Sequence, residues 1–198
     1  MRAAKDLDRQ PMKTAGRNVP STLNERRRRV FSLADLLALD ARVRPSPFEI
    51  MAGRRADIPA IVRLLRTRRM PSGLPLKFAR SEQLLADTWP QVHWLLAKRR
   101  GTLVGCLELR PVPDDTGIWE MGSFSQAAHN ANPWVPVRLM AAGFRKLVEL
   151  GARAAVVEVH ARNDAMWRFL AHLPFEPEAQ SAAFPEFTRC RMALDGRP

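Results

Sequence analysis

The feature that most constrains this sequence is an amphipathic helix that ends at a glycine and leads directly into a valine-rich segment. Apolar residues recur at three- and four-residue intervals from Val137 to Val148, and Gly151 marks the end of the helix. Ala154 to His160 is rich in β-branched residues, which is typical of a strand. This succession predicts a chain that buries an α/β core.

The rest of the chain also divides into short strands and helices. Asp57 is predicted to cap a helix that has Pro59 in its first turn, since a missing amide costs nothing there. The link Arg99-Arg100-Gly101 predicts a β-hairpin. We predict further strands at 48–53, 92–98, 103–110, 118–125 and 187–194, and further helices at 81–89 and 164–173.

The N-terminal quarter of the chain differs from the remainder. Residues 1–55 hold 13 basic and 6 acidic side chains. The excess of basic over acidic residues in this part is more than half of the formal net charge of +12 of the whole chain. Residues 1–29 lack periodicity and end in four consecutive arginines, which indicates a flexible basic tail. Ser32 and Asp35 predict a short helix through Leu39. We therefore expect a largely flexible extension at 1–46 and a single domain at 47–198.

The cysteine and hydropathy patterns indicate in which compartment the protein is expected. Cys106 and Cys190 lie in apolar runs without metal-ligand spacing, so we expect buried reduced thiols and no metal site. No apolar stretch approaches the roughly 18 residues of a membrane span, and no secretory signal is evident. The expected compartment is the cytoplasm.

One block of the sequence is similar to a known family. The strand 156–160 is followed by Asn163, a short helix with Trp167 and Leu170, and the turn Leu173-Pro174-Phe175. This block, together with the order of elements over residues 48–194, resembles the GCN5-related N-acetyltransferase (GNAT) superfamily. The resemblance implies an α/β (α+β) fold with a mixed, mostly antiparallel sheet, a splayed pair of parallel strands and helices on both faces.

The resemblance also implies how a donor would bind. In the family the pantetheine arm of acetyl-CoA, or of another acyl-CoA, lies between the splayed strands, here 118–125 and 154–160. Residues implied to contact the coenzyme are Phe124, Ser125, Gln126, Arg138 and Asn163. Two alternatives stay open, because Asn163 could simply cap the next helix and Arg138 could be a solvated helix-surface arginine.

Catalytic candidates follow from the chemistry of amine acylation, which needs a base to deprotonate the ammonium. Glu120 lies on the predicted fourth strand and could face the acceptor, although an exposed strand glutamate without a role is the alternative. Glu108 is a second candidate for the same base. His129 lies in a loop at the predicted cleft mouth, where it could titrate near neutrality or only decorate the surface.

The sequence departs from the family at two positions. The segment before the long helix is Asn130-Ala131-Asn132-Pro133-Trp134-Val135-Pro136, without the glycines that let a diphosphate approach backbone amides. Leu170 occupies the place of the tyrosine that protonates the leaving thiolate in many relatives, and the chain contains no tyrosine. Both changes bear on how a donor would be held and released.

Three functions remain open at this point. The first is transfer of an acyl group, most simply acetyl, to a primary amine of a small molecule, a protein or a charged RNA. The second uses an acyl carrier protein as donor, because such a donor needs the pantetheine groove but no full nucleotide site. The third is a non-catalytic binding module that attracts nucleic acid through its basic tail. A homodimer is left open for each.

Overall fold

The structure is a computed structural model that describes residues 32–42, 47–67, 81–128, 132–180 and 185–194. Five helices lie in these ranges, namely α1 (Leu33–Arg42), α2 (Ile58–Arg66), α3 (Glu82–Thr88), α4 (Trp134–Glu149) and α5 (Asp164–Leu170). The strands are β1 (Glu49–Ala52), β2 (His93–Arg99), β3 (Thr102–Pro111), β4 (Ile118–Gln126), β5 (Ala154–His160), β6 (Glu176–Gln180) and β7 (Phe187–Ala193). The predicted basic tail and the Arg26–Arg29 run lie outside the described residues.

All seven strands form one sheet in the order β1-β2-β3-β4-β5-β7-β6. Every neighbouring pair is antiparallel except β4 and β5, which are parallel. The predicted fold class, a mixed and mostly antiparallel sheet with one parallel pair, is therefore confirmed. The β2–β3 hairpin turns at Arg100 and Gly101, both of which have positive φ.

Helices cover both faces of the sheet. Gly143 of α4 lies so close to β3 and β4 that a Cβ there would meet Met121 Cε at 2.6 Å and Leu107 Cδ2 at 2.8 Å. On the opposite face, the apolar side of α2 packs with Leu96 and Cys106 in a second buried cluster. The long helix α4 thus lies directly against β3 and against β4, the first strand of the parallel pair.

The structure corrects three details of the sequence prediction. α4 begins at Trp134, so Pro136 lies inside its first turn rather than in a loop. Asp57 occupies the N-cap position of α2 without capping it, because its carboxylate accepts instead from Arg54 N at 2.9 Å and Lys98 Nζ at 2.6 Å. β6 was missed because all five of its residues are exposed and it contains Pro177, so it carries no buried face for alternation to reveal.

Helix α1 packs on the domain although it lies before the predicted boundary. Ser32 and Asp35 form the expected reciprocal cap, with Asp35 N donating to Ser32 Oγ at 3.1 Å and Ser32 N donating to Asp35 Oδ2 at 3.0 Å. Leu36 is buried in the same core as α4. The division at residue 46 stays a prediction, but α1 contributes to the core of the domain that follows it.

Both cysteines are buried thiols that are not joined in a disulfide, as their apolar surroundings predict. Burial raises the pKa of the Cys190 thiol to about 11. Within the described ranges, no helix is long and apolar enough to cross a bilayer. The same part of the chain contains no cluster of three or more His, Cys, Asp or Glu side chains arranged to hold a metal ion.

Candidate functional site

The parallel strands β4 and β5 are paired over only part of their length. Ile118 is opposite Ala154, Trp119 is opposite Ala155 and Glu120 is opposite Val156, and the pairing ends there. The two strands continue unpaired with each other as residues 121–126 and 157–160. We call this separation the β4–β5 gap. Along it, the main-chain groups of each strand that face the other strand are not paired with that strand.

A bulge in β4 explains why the strands separate. Cys106 of β3 is opposite Ser125, but Glu108 is opposite Gly122, so two residues of β4 stand against Leu107 alone. One of those residues, Ser123, has a φ of +49°, in the left-handed region. An extra residue bends its strand. The bulge therefore turns the second half of β4 away from β5, as the resemblance implied.

A cavity of about 370 Å³ lies beside the β4–β5 gap, where the start of α4 and the start of α5 meet the end of β4. We call it the gap cavity. Its wall is held in place partly by Phe124 and Phe169, whose rings stack with centroids 6.4 Å apart. Its lining includes Phe124, Ser125 and Gln126 from β4, Val135 and Val137 from α4, and Asn163 at the start of α5.

Four of the five predicted coenzyme contacts line this cavity, although what they bind stays a prediction. Ser125 is 4% exposed, and its Oγ has no hydrogen-bond partner among the described residues. Asn163 caps α5, since its Oδ1 accepts from Met166 N at 3.2 Å, so the capping alternative is confirmed. Gln126 Nε2 donates to the carbonyl of Asn132 at 2.8 Å, which ties the end of β4 to the segment before α4.

A second cavity, of about 390 Å³, is lined by three carboxylates and is called the carboxylate cavity below. Glu108 comes from β3, Glu120 from β4 and Glu158 from β5, and Arg110 and Arg189 also line it. A Cβ at Gly122 would lie 3.5 Å from Glu120 Oε1 and 3.6 Å from Glu108 Oε2. Two carboxylates therefore border the point on β4 where pairing with β5 has just ended.

The predicted base Glu120 is held in an ion pair. Arg110 donates to Glu120 Oε2 from Nη2 at 2.6 Å and from Nε at 3.0 Å. Burial alone would lower the pKa of Arg110, but Glu120, followed by Glu108 and Glu158, raises it above its ordinary value. One oxygen of Glu120 is thus committed to Arg110, and the other, Oε1, faces Gly122.

The alternative base Glu108 is almost completely buried, at 1% exposure. Its Oε2 accepts from the hydroxyl of Ser123 at 2.7 Å. Because Ser123 is the bulged residue, this contact joins a carboxylate of the cavity to the bend in β4. Glu108 therefore helps to fix the shape of the β4–β5 gap as well as its charge.

Three solved structures with this architecture align with most of the chain. The ribosomal-protein-S18-alanine N-acetyltransferase of Escherichia coli is 14% identical, with 76% of this chain and 96% of that chain covered and a TM-score of 0.61. The PaiA N-acetyltransferase of Thermoplasma acidophilum, solved with coenzyme A, is 14% identical, with 74% and 98% covered and a TM-score of 0.61.

N-acetylglutamate synthase of Neisseria gonorrhoeae, complexed with coenzyme A and N-acetyl-glutamate, is 17% identical, with 74% of this chain and 35% of that chain covered and a TM-score of 0.61. A scan of family models and a search of curated proteins gave no match. Several GNAT-family acetyltransferases are among the similar structures. The chain has the GNAT fold.

At the start of α4, the backbone amides are bound by a residue of the chain itself. Trp134 N donates to Asn132 Oδ1 at 2.9 Å, and Val135 N donates to the Asn132 carbonyl at 3.1 Å. Pro136 has no N–H to offer. The first-turn amides that would receive a phosphate at a helix N-terminus are therefore bound to Asn132 or missing at three successive positions.

Arg138 has different contacts from those implied by the resemblance. It is 8% exposed, its Nη1 donates to the Phe48 carbonyl at 3.1 Å, and its guanidinium lies 5.1 Å from the centroid of the Phe48 ring. It is therefore neither solvated nor part of the lining of the gap cavity. Contact with the coenzyme stays a prediction that would require this arrangement to change.

The remaining predicted residues have mixed outcomes. His129 lies outside the described residues, so its catalytic role stays a prediction. Leu170, at the tyrosine position of many GNAT relatives, is 3% exposed and packs in the core. Sequence reasoning missed Arg110 and Glu158 as site residues. Glu158 could have been found as the single charged residue of the strand 154–160, facing the same side as Val156.

Proposed function

We propose that this protein is an N-acyltransferase that moves an acyl group, most simply acetyl from acetyl-CoA, to a primary amine. The observation that carries the proposal is the β4–β5 gap, in which pairing stops after Glu120 and Val156. An extended pantetheine arm could add to the unpaired main chain there as another strand would. The acyltransferase names of structures with the same fold support this reading.

Each of the two cavities would hold one of the two reactants. The pantetheine arm would occupy the gap cavity, and its thioester would reach the point near Gly122 where the carboxylate cavity begins. An amine entering the carboxylate cavity arrives as an ammonium ion, which the surrounding carboxylates attract. The two reactants would therefore meet where β4 and β5 part.

In the proposed reaction a carboxylate takes a proton from the ammonium, and the neutral nitrogen attacks the carbonyl carbon of the thioester. The carbon–sulfur bond then breaks, the nitrogen releases its second proton to water, the amide forms and the thiolate leaves. We propose Glu120 as the base, acting through Oε1 directly or through water, with Glu108 as the alternative. With Leu170 at the tyrosine position, the thiolate would be protonated by water or after release.

An acyl carrier protein is the second candidate donor. The observation that favours it is the way in which Asn132 occupies the first amides of α4. The net charge of +12 would suit an acidic partner. Transfer from an acetylated carrier protein, with none from acetyl-CoA, would select this candidate.

The proposal is tested with acetyl-CoA and a panel of primary amines that includes diamines, amino acids and N-terminal peptides. Release of free thiol and the mass of the product should both depend on an amine. Calorimetry should also show saturable binding of coenzyme A or pantetheine without an acceptor. If neither coenzyme A nor pantetheine binds, the proposed function is overturned.

A further inference from the structure

Asn132, two residues before α4, occupies backbone amides that an anion bound at the helix start would otherwise take. Asn132 accepts two backbone amides at the helix start, from Trp134 through its side chain and from Val135 through its carbonyl. Uncapped first-turn amides are the usual anion site of a helix, where the partial positive charge of the helix also lies. Here an asparagine fills that site.

Asn132 is itself fixed from the side of the gap cavity. Its carbonyl accepts Gln126 Nε2 at 2.8 Å in addition to Val135 N. Gln126 is the last residue of β4, the strand that forms one wall of the gap. A diphosphate arriving at the start of α4 would therefore have to break a network that joins β4 to α4.

The other groups that could hold a phosphate at this helix are also committed. Pro136 removes a third amide from the first turn. Arg138, one turn further along α4, is buried against Phe48 through a hydrogen bond and a cation–π contact. Charge-assisted bonds are what make phosphate recognition strong, and the described part of α4 leaves few groups to form them.

The gap cavity, in contrast, is open to a pantetheine arm. It offers the buried hydroxyl of Ser125, which has no partner among the described residues, in a lining that also includes the apolar side chains of Val137 and Phe169. An arm with two amides and a short alkyl chain matches a lining that is mostly apolar with a few polar groups. Among the described residues, the gap cavity therefore suits the arm, while the start of α4 offers few groups to the nucleotide.

We propose that Asn132 takes the place of the donor's diphosphate, so that this protein recognises its donor by the pantetheine arm and is indifferent to the nucleotide. The inference rests on the proposed acyltransferase function and defines its donor class. A pantetheine thioester is the shared chemistry, whether it is carried by coenzyme A or by a carrier protein. Asn132 and Pro136 are its specificity-determining residues.

The first test compares S-acetylpantetheine with acetyl-CoA at a fixed amine. We expect kcat/KM values within about threefold of each other, because no charge-assisted bonds tie the nucleotide. In competition binding with a fluorescent pantetheine probe, pantetheine should displace the probe and adenosine 3′,5′-bisphosphate should not. This binding measurement needs no acceptor, so it gives a result even if the amine is not yet known.

The second test frees backbone amides at the start of α4. Asn132→Gly with Pro136→Ala frees the Trp134 amide and adds one at position 136, and should raise the preference for acetyl-CoA over S-acetylpantetheine roughly tenfold. Pro90→Ala, in the short turn Trp89–Gln91, is the matched control and should leave the preference unchanged. A single Pro136→Ala variant keeps the Asn132 cap and should give a smaller shift, which guards against misfolding of the double variant.

The outcomes of these tests distinguish a failure of the proposed role of Asn132 from a failure of the proposed acyltransferase function. A preference of the unmodified protein for acetyl-CoA of roughly a hundredfold or more would overturn the role of Asn132 and leave acyl transfer standing. Competition by the bisphosphate, or no change in preference in the double variant, would also overturn it. Binding of neither coenzyme A nor pantetheine would overturn the proposed function itself.

Discussion

At the residue scale, the site depends on carboxylates whose partners sequence alone does not reveal. Glu120 is conspicuous as a charged residue in a predicted strand, but its ion pair with Arg110 follows from the register that places the two residues opposite each other. The turn between β3 and β4 sets that register, and the bulge at Ser123 shifts it only on the far side of Glu108. The residue type could be predicted, and its electrostatic partner could not.

Substituting Glu120 tests the proposed base. Glu120→Gln keeps the size of the side chain and removes its ability to accept a proton, so kcat should fall about 10²- to 10⁴-fold with binding of the donor unchanged. Glu49→Gln on the exposed edge strand is the matched control. If Glu120→Gln retains full activity while Glu108→Gln loses it, the base is Glu108.

A methyl group at residue 122 should obstruct the meeting point of the two reactants. In Gly122→Ala the new Cβ lies in ordinary contact with Glu120 and Glu108, at 3.5 and 3.6 Å, so the fold can accept it. We expect an unchanged melting temperature and a raised KM for the amine. An unchanged KM would show that the acceptor does not approach the gap through the carboxylate cavity.

At the element scale, the amphipathic helices were the most predictable parts of the fold. Both α2 and α4 follow from their apolar periodicity, because packing on a sheet requires one buried face. The exposed strand β6 could not be predicted, since neither of its faces is buried and only its pairing with β7 defines it. The position of Asp57 at the start of α2 was predicted, but its partner Lys98 on β2 is 41 residues away.

The contact between α2 and β2 predicts a pH-dependent stability. Burial opposes ionisation of Asp57, but the hydrogen bonds from Lys98 and from Arg54 N, together with the positive charges of these two residues, outweigh it and lower the pKa below its ordinary value. A lowered folded-state pKa adds stability that is complete above the unfolded value and disappears as pH falls through the folded one. Asp57→Asn should therefore destabilise the protein by about 1 kcal/mol or less near neutral pH.

Denaturant unfolding at about pH 7 and about pH 3 checks this prediction. The difference between Asp57→Asn and the unmodified protein should shrink at the lower pH, where the carboxyl group becomes protonated. A difference that stayed constant across this range would mean that the Lys98 ion pair adds no stability. Asp87→Asn, which changes an exposed residue of α3, serves as the control.

The packing of α4 on β3 gives a second prediction at this scale. A Cβ at Gly105 would meet Val135 Cγ1 at 2.8 Å and Leu139 Cδ1 at 3.1 Å. Gly105→Ala should therefore push the start of α4 away from the sheet and cost about 1–3 kcal/mol of unfolding free energy. Calorimetric melting would measure this loss, and an unchanged melting temperature would contradict the tight packing.

At the scale of the whole molecule, the fold class could be predicted from the order of strands and helices, together with the block in which a strand, an asparagine and a short helix follow one another. The length of the gap could not be predicted, since it depends on where β4 and β5 stop pairing. Nor could the role of α1, whose Leu36 is buried in the core shared with α4. A truncation that tests the basic tail should therefore end at residue 31 rather than 46.

Removal of residues 1–31 tests the prediction that the tail attracts nucleic acid. The melting temperature should stay the same because α1 is retained, while gel-shift affinity for nonspecific DNA or RNA should fall and lose its dependence on salt. Binding that does not change on truncation would remove the basis for a nucleic-acid role of the tail. Loss of acyl transfer in the same variant would instead connect the tail to the reaction.

A crystal structure with a non-hydrolysable thioether analogue of S-acetylpantetheine tests the proposed donor site most directly. We expect the arm to lie between residues 121–126 and 157–160, with its amides bonded to the main chain of β4 and its acyl end near Gly122. An arm bound elsewhere, or β4 and β5 paired along their full length, would contradict this expectation.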